Sequence, residues 1–278
     1  MVEDAGKTES KVEVVKRNSR RLRGTIAEAL ASDATHFSES DETLLKFHGA
    51  YQQDDRDLRH ERRKQKLEEA YQFMVRCAIP AGVVTADQYL GLDALSDEYA
   101  NRSLRVTTRQ GFQLHGVIKK NLKAAIAAIN HTLLTTISAC GDVERNVMTC
   151  PAPLQDEAHV TLRRVAREIA VQLRPATRAY HEIWLDGEKA LSTEQEEPFY
   201  GDVYLPRKFK TAIALADDNC VDVYNDDAGL IAILEGSRIV GYNVLVGGGM
   251  GMTHGKADTT ARLAEAVGFV GPEHAVEA

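Results

Sequence analysis

The 278 residues contain no uninterrupted apolar stretch approaching the roughly 18 residues of a membrane-crossing helix, so a membrane-embedded chain is excluded. The opening decapeptide MVEDAGKTES lacks the basic-then-apolar order of a secretory signal, and a cytoplasmic location is the expectation. Cysteine is scarce: Cys77, Cys140, Cys150 and Cys220 are scattered and form no C-x-x-C clip, which excludes a disulfide framework. Alone they make no recognisable metal or cluster site. A basic excess is also missing, since 34 lysines and arginines face 41 acidic residues for a net charge of −7. That balance argues against a nucleic-acid partner, which would need phosphate-neutralising charge. There is no internal repeat and no low-complexity segment. What the acidic chain does hold is a set of short basic groups: Arg76, Arg105 with Arg109, Lys119 with Lys120, Arg145, and Arg207, Lys208 and Lys210. Such islands point to a small anionic ligand.

Residues 1–72 are polar, with charged runs such as DDRDLRHERRKQKLEE and few apolar anchors beyond Leu44, Leu45, Phe47 and Tyr51. They read as an extended arm followed by a solvated helix, lying on the rest of the molecule. From Phe73 the period changes to that of a strand, Phe73, Val75, Cys77 and Ile79 alternating with Met74, Arg76 and Ala78, with PAG as the turn. Thr85 and Gln88 stand at capping-box spacing before a helix carrying Leu92, Leu95 and Tyr99. Strands are expected at 103–107 and 112–117, then a helix capped by Asn121. Strand, helix, strand, strand, helix is most of a split β-α-β unit, so 73–138 reads as a ferredoxin-like half-domain. In 139–278 the pattern predicts a helix over 157–173 and strands at 181–185, 209–215 and 221–224. A hairpin follows over 231–246 with EGS as its turn, and then a helix from about 256 to 267. The fold class is α+β, a ferredoxin-like half-domain followed by a mixed α/β domain.

Arg76 lies on the strand face opposite the apolar one, aimed at a cleft or at solvent. Arg105 and Arg109 flank the next strand, and Gln113 and His115 share a face of the third. Arginines on adjacent strands suit carboxylate or phosphate, because the planar guanidinium offers paired hydrogen bonds. In LPRKFKT, Lys208 and Lys210 project to one face and Arg207 and Phe209 to the other; this is either an anion site or a lysine-guarded edge strand. Gly247, Gly248 and Gly249 follow an apolar strand, and allow close backbone approach to a ligand or make a tight turn. Their spacing does not match a dinucleotide fingerprint. His48, His115, His181 and His254 are weighed as ligands or acid/base groups, yet no pair has i, i+4 spacing.

Taken together, FMVRCAIPAG, LRVTTRQGFQLHGVIKKNLK, GDVERNVM, EIWLDGEK, YLPRKFKTAIA, DDNCVDVYNDD and NVLVGGGMGMTHG resemble, in order, the amino-terminal half of the siroheme-containing nitrite/sulfite reductases. The resemblance implies a siroheme whose iron shares a thiolate with a [4Fe-4S] cluster, and six-electron reduction of sulfite to sulfide. It assigns Arg76, Arg145, Lys208 and Lys210 to the sulfite. Arg105, Arg109, Gln113, Arg207 and Gly247 to Gly249 fall to the siroheme. Electrons would come from an NADPH-dependent flavoprotein subunit or from ferredoxin. The family's loop has asparagine where this chain has Glu144, a negative charge beside Arg145. The family's paired two-cysteine cluster motifs are not found, so no metal ligand is assigned, and the chain is expected to stop before the cluster-binding half and to be inactive alone. The alternatives are an assimilatory nitrite reductase, or a non-catalytic tetrapyrrole- or anion-binding module or assembly partner.

Overall fold

A computed structural model describes residues 9–187, 197–249, 251–252 and 255–278. The first layer is an antiparallel sheet in the order β1-β2-β4-β3, formed by β1 (Ala50–Asp54), β2 (Tyr71–Cys77), β3 (Leu104–Val106) and β4 (Phe112–Val117). Alternation sets its two faces as the sequence predicts. Phe73, Val75, Cys77 and Leu114 are buried, whereas Arg76, Gln113 and Arg105 are register partners in one row across three strands. Helices α5 (Ala86–Tyr99) and α6 (Lys119–His131) cover the apolar face with Leu92, Leu95, Leu122, Ile126 and Ile129. The Thr85/Gln88 capping box is present at the start of α5. Asn121 does not cap α6. The helix starts at Lys119, whose ammonium donates to Ala34 O at 2.7 Å and to Ser32 Oγ at 3.1 Å, so the chain is already pinned two residues earlier.

The amino-terminal segment is more than an arm. It forms α1 (Lys11–Arg17), α2 (Ile26–Leu30) and α3 (Glu39–Leu45), then β1, which pairs with β2, and α4 (Arg56–Lys64). Only α4, which has no buried residue, is the solvated helix that was expected. The apolar residues of this segment are few, but Leu22, Ile26, Phe37, Leu44, Leu45 and Phe47 all enter the core shared with the sheet. Buried His48 fixes the join: its Nε2 donates to Leu22 O at 2.9 Å, and its Nδ1 accepts from Trp184 Nε1 at 3.0 Å.

The second layer pairs β5 (Thr211–Leu215) parallel to β6 (Ala228–Glu235), with β7 (Arg238–Val246) and β8 (Glu265–Val270) added antiparallel. Helix α7 (Glu157–Gln172) packs on it through Leu162, Val165, Ala166 and Ile169. Three expectations fail here. Residues 181–185 are not a strand but the end and cap of α8 (Ala179–Trp184), because Tyr180, Ile183 and Trp184 reach the core together only at helical spacing. Residues 221–224 contain a 3-10 turn at Val223–Asn225, entered through left-handed Asp222. No helix spans 256–267. Only Ala264 is buried among its described residues, so a helix would have no face to pack, and the chain extends instead to pair with β7. Met250 and His254 lie outside the described residues. The two layers meet where the turn at Pro80–Gly82 places Ala81 in the second core, with Ala81 N donating to Val147 O. Among the described residues no helix is long and apolar enough to cross a membrane.

Candidate anion-binding site

Between the layers lies a cavity of about 160 Å³, lined by Arg76, Arg109, Arg145, Lys208 and Lys210 with Cys77, Thr107, Thr108, Gly111, Ala139 and Asn146. Strand β2 delivers Arg76, and the loop after α6 delivers Arg145. Both guanidiniums donate to Ala139 O, Arg76 at 3.4 Å and Arg145 at 3.2 Å. Arg145 also donates to Gly141 O at 2.7 Å. With the Gln113 amide turned so that its oxygen faces Arg76, it accepts from Nη2 at 2.6 Å and Nε at 2.9 Å, while its nitrogen donates to His115 Nε2. Arg76 further meets the Cys140 sulfur at 3.2 Å and lies over the Tyr51 ring. The hydrogen bonds of these arginines go to neutral groups, and the Asp142 carboxylate offsets Arg145 only through space.

The two lysines differ. Lys210 donates to Asn225 O at 2.7 Å and stands 3.6 Å from Asp226, so it is tethered and partly compensated. Among the described residues Lys208 has no such hydrogen-bonded anchor, although the Asp227 charge acts on it. Its ammonium is pushed below the ordinary lysine range, chiefly by desolvation and then by the like charges of Arg145, Lys210 and Arg207. Arg109 is built into the wall: it donates to Asp226 Oδ1 at 2.6 Å, Asn146 O at 2.8 Å and Thr211 O at 3.1 Å. Its Nε is buried without a partner. Asp226 is buried, and desolvation raises its carboxyl above the usual range although Arg109 and Lys210 pull it down.

Of the residues assigned to the siroheme, Gln113 touches the site through Arg76, whereas Arg105 faces a separate groove beside Asp54, Asp57, Gln72 and His115. Arg207 is exposed and outside the cavity lining. The Gly247–Gly249 turn is likewise not in the lining. Gly247 N and Gly248 N donate to Asp227 O and Asp226 O, and a Cβ on Gly248 would lie 2.3 Å from Asp226 O, so these glycines let the turn press against the loop that holds Arg109 and Lys210. Glu144 does not oppose Arg145. Its carboxyl turns inward, accepts from Thr211 Oγ1 at 3.0 Å, and desolvation pushes it up to about 8. Two contributors escaped sequence reasoning. Asn146 clamps Ile79 N and O and Arg109 O at 2.8 Å each, and Asp226 balances the wall. The asparagine in ERNV and the paired aspartates in YNDD were visible, but not their partners.

The residues suit an anion-rich group. A cavity of this size holds a small oxyanion rather than a macrocycle, which would have to lie across the mouth. The four cysteines do not suit a cubane cluster. Cys77 lies in the core under the first sheet, Cys140 lies beside Arg76 and Tyr51 on its other face, and Cys150 and Cys220 neighbour each other elsewhere, so four thiolates are not gathered.

A fold of this kind is seen in the structure of the Mycobacterium tuberculosis NirA protein, at a TM-score of 0.70 and 22% identity over 98% of this chain and 45% of that one. Residues 65–131 match the nitrite/sulfite reductase ferredoxin-like half domain, and 165–278 match the nitrite and sulphite reductase 4Fe-4S domain. Similar proteins are the sulfite reductase [NADPH] hemoprotein beta-components of Staphylococcus epidermidis (51% identical over 99% of this chain and 48% of that protein) and Geobacillus thermodenitrificans (53%, 96% and 48%). The chain belongs to the nitrite/sulfite reductase family. It spans about half the length of these relatives.

Proposed function

We propose that the chain forms the substrate-binding half of a cytoplasmic sulfite reductase hemoprotein, reducing sulfite to sulfide. The observation that carries this is the cavity in which Arg76, Arg145, Lys208 and Lys210 converge, four cations against the partial compensation of Asp226, Asp227 and Asp142. Siroheme, when bound, would supply the iron that passes electrons to sulfur; Arg76 and Arg145 would face it at the mouth of the cavity. The chain's own residues do the rest. Arg76 and Arg145, pre-set on the Ala139 carbonyl, hold the oxyanion by charge-assisted hydrogen bonds without reorganising. Lys208, whose proton is loosened by its surroundings, donates to departing oxygen, and tethered Lys210 stabilises the charge that builds there. Arg109 and Gly247 to Gly249 support this wall, and Arg105 and Arg207, which lie outside the cavity, would hold siroheme carboxylates. The ferredoxin-like unit over 73–138 supplies Arg76, Arg105 and Arg109, and the unit over 139–278 supplies Arg145, Lys208 and Lys210, with 1–72 laid against both.

The similarity to NADPH-type hemoprotein beta-components favours an NADPH-dependent flavoprotein over ferredoxin as electron source. Because the four cysteines do not converge, the 278-residue chain loaded with siroheme should yield no sulfide from reduced methyl viologen; sulfide production would refute that. Supplied with a cluster-bearing second half, the assembly should turn over sulfite faster than nitrite. The reverse order would favour the nitrite reductase reading.

A further inference from the structure

A second constellation lies where the loop following Met148, the start of α7 and the loop after β5 come together. The Cys150 thiol, a ring nitrogen of His159 and a carboxylate oxygen of Asp218 lie within 4.8 Å of one another. Cys150 and His159 are buried, and His159 is only 8% exposed. Its Nδ1 is taken by Asp156 Oδ2 at 2.8 Å, while its Nε2 is buried with no hydrogen-bond partner among the described residues. Cys220 stands at the rim, exposed and acted on by Cys150 and Asp218, but its sulfur is outside that group of three. Its backbone N–H donates to Asp218 Oδ1, which fixes the loop.

We propose that Cys150, His159, Asp218 and Cys220 bind one divalent cation of the zinc class, independently of the anion cavity. Thiolate, imidazole and carboxylate, one of each already gathered here, are the donors such an ion prefers, and movement of the exposed Cys220 sulfur onto the ion would complete a tetrahedral, structural shell. The Asp156–His159 hydrogen bond is the arrangement that orients a ligating imidazole: a carboxylate holds one nitrogen and leaves the other to the metal. The unpartnered buried Nε2 is the atom that a bound ion would satisfy. Cys220 also lines a cavity with Met148, Pro151 and Thr107, which gives an ion a route in from solvent. The bound ion would staple the loop after β5 to the amino-terminal end of α7.

The test is a cobalt titration of the full 278-residue chain, freed of metal by a chelator and kept under reductant. The expected result is saturation at one equivalent, with thiolate-to-cobalt charge-transfer absorption and tetrahedral ligand-field bands that zinc abolishes by displacement. Cys150→Ser and His159→Gln should remove the tight equivalent, and Asp156→Asn should weaken it by roughly 10- to 100-fold with an unchanged far-ultraviolet spectrum. Should a variant fail to fold, the unsubstituted chain still decides, because bound zinc must protect Cys150 and Cys220 from alkylation. Absence of a saturable equivalent, absorption without thiolate character, no protection, or a Cys150–Cys220 disulfide in the reduced preparation would overturn the proposal.

Discussion

Arg145 and Glu144 are adjacent in sequence and opposite in effect, because the backbone pairing of Glu144 with Phe209 sends one side chain to the cavity and the other into the core. The carboxyl raised to about 8 makes Glu144 a neutral donor–acceptor at moderate pH rather than a competitor for the anion. The sign of its effect on stability follows. The folded state holds the proton more tightly than the unfolded one, so the contribution is full below the ordinary glutamate value of 4.5 and lost as pH rises through about 8. Glu144→Gln keeps the bond from Thr211 and removes the ionisation. Its melting temperature should match the parent at pH 5 and exceed it at pH 8, by an amount on the order of a few kcal/mol in stability. Equal pH slopes in thermal melts of the two proteins would show that Glu144 does not titrate in this window.

At the scale of elements, the join between α8 and the amino-terminal segment depends on a neutral imidazole. Complete burial lowers His48 to about 4 from 6.5, and both of its nitrogens are used in the neutral form. A depressed folded value means that the stabilisation is present above 6.5 and lost as pH falls through about 4. Trp184 is the single tryptophan, so its emission should hold above pH values of about 4 and shift to the red as pH falls through that value, where the His48 bond is lost. Emission unchanged well below that value, to roughly pH 3, would contradict this. The elements themselves were unequally legible. β2, α5, β4, α7 and the β6–β7 hairpin announce themselves by period, capping box or turn, because their neighbours are local or their apolar face is continuous. α8 did not, since HEIWL alternates like a strand and only the pocket around His48 selects the helix. β8 was hidden as well, its strand state being imposed by the open edge of β7 rather than by its own sequence. The cationic side chains of the site could be picked out in the sequence, but not that Arg109 would be spent on Asp226, nor that His159 would end beside two cysteines.

For the molecule as a whole, two sheets joined by the Pro80–Gly82 turn and the Asn146 clamp form one wall each of the anion cavity. The second sheet ends at β8, whose Val267 is 61% and Phe269 57% exposed on one strand face, with no further strand paired outside it among the described residues. An uncovered apolar edge favours pairing between copies. Sedimentation velocity should show concentration-dependent association that Val267→Lys reduces; a single monomer species at all concentrations would argue otherwise. The central claim, that the cavity between the sheets is an oxyanion site, is tested most directly by calorimetric titration of the chain with sulfite. One saturable site is expected, weakened at least about 10-fold, or roughly 1.4 kcal/mol, by Arg76→Ala or Lys208→Ala and left unchanged by Arg207→Ala, which removes an equal charge outside the cavity. Absence of saturable binding, or an equal loss from Arg207→Ala, would contradict it.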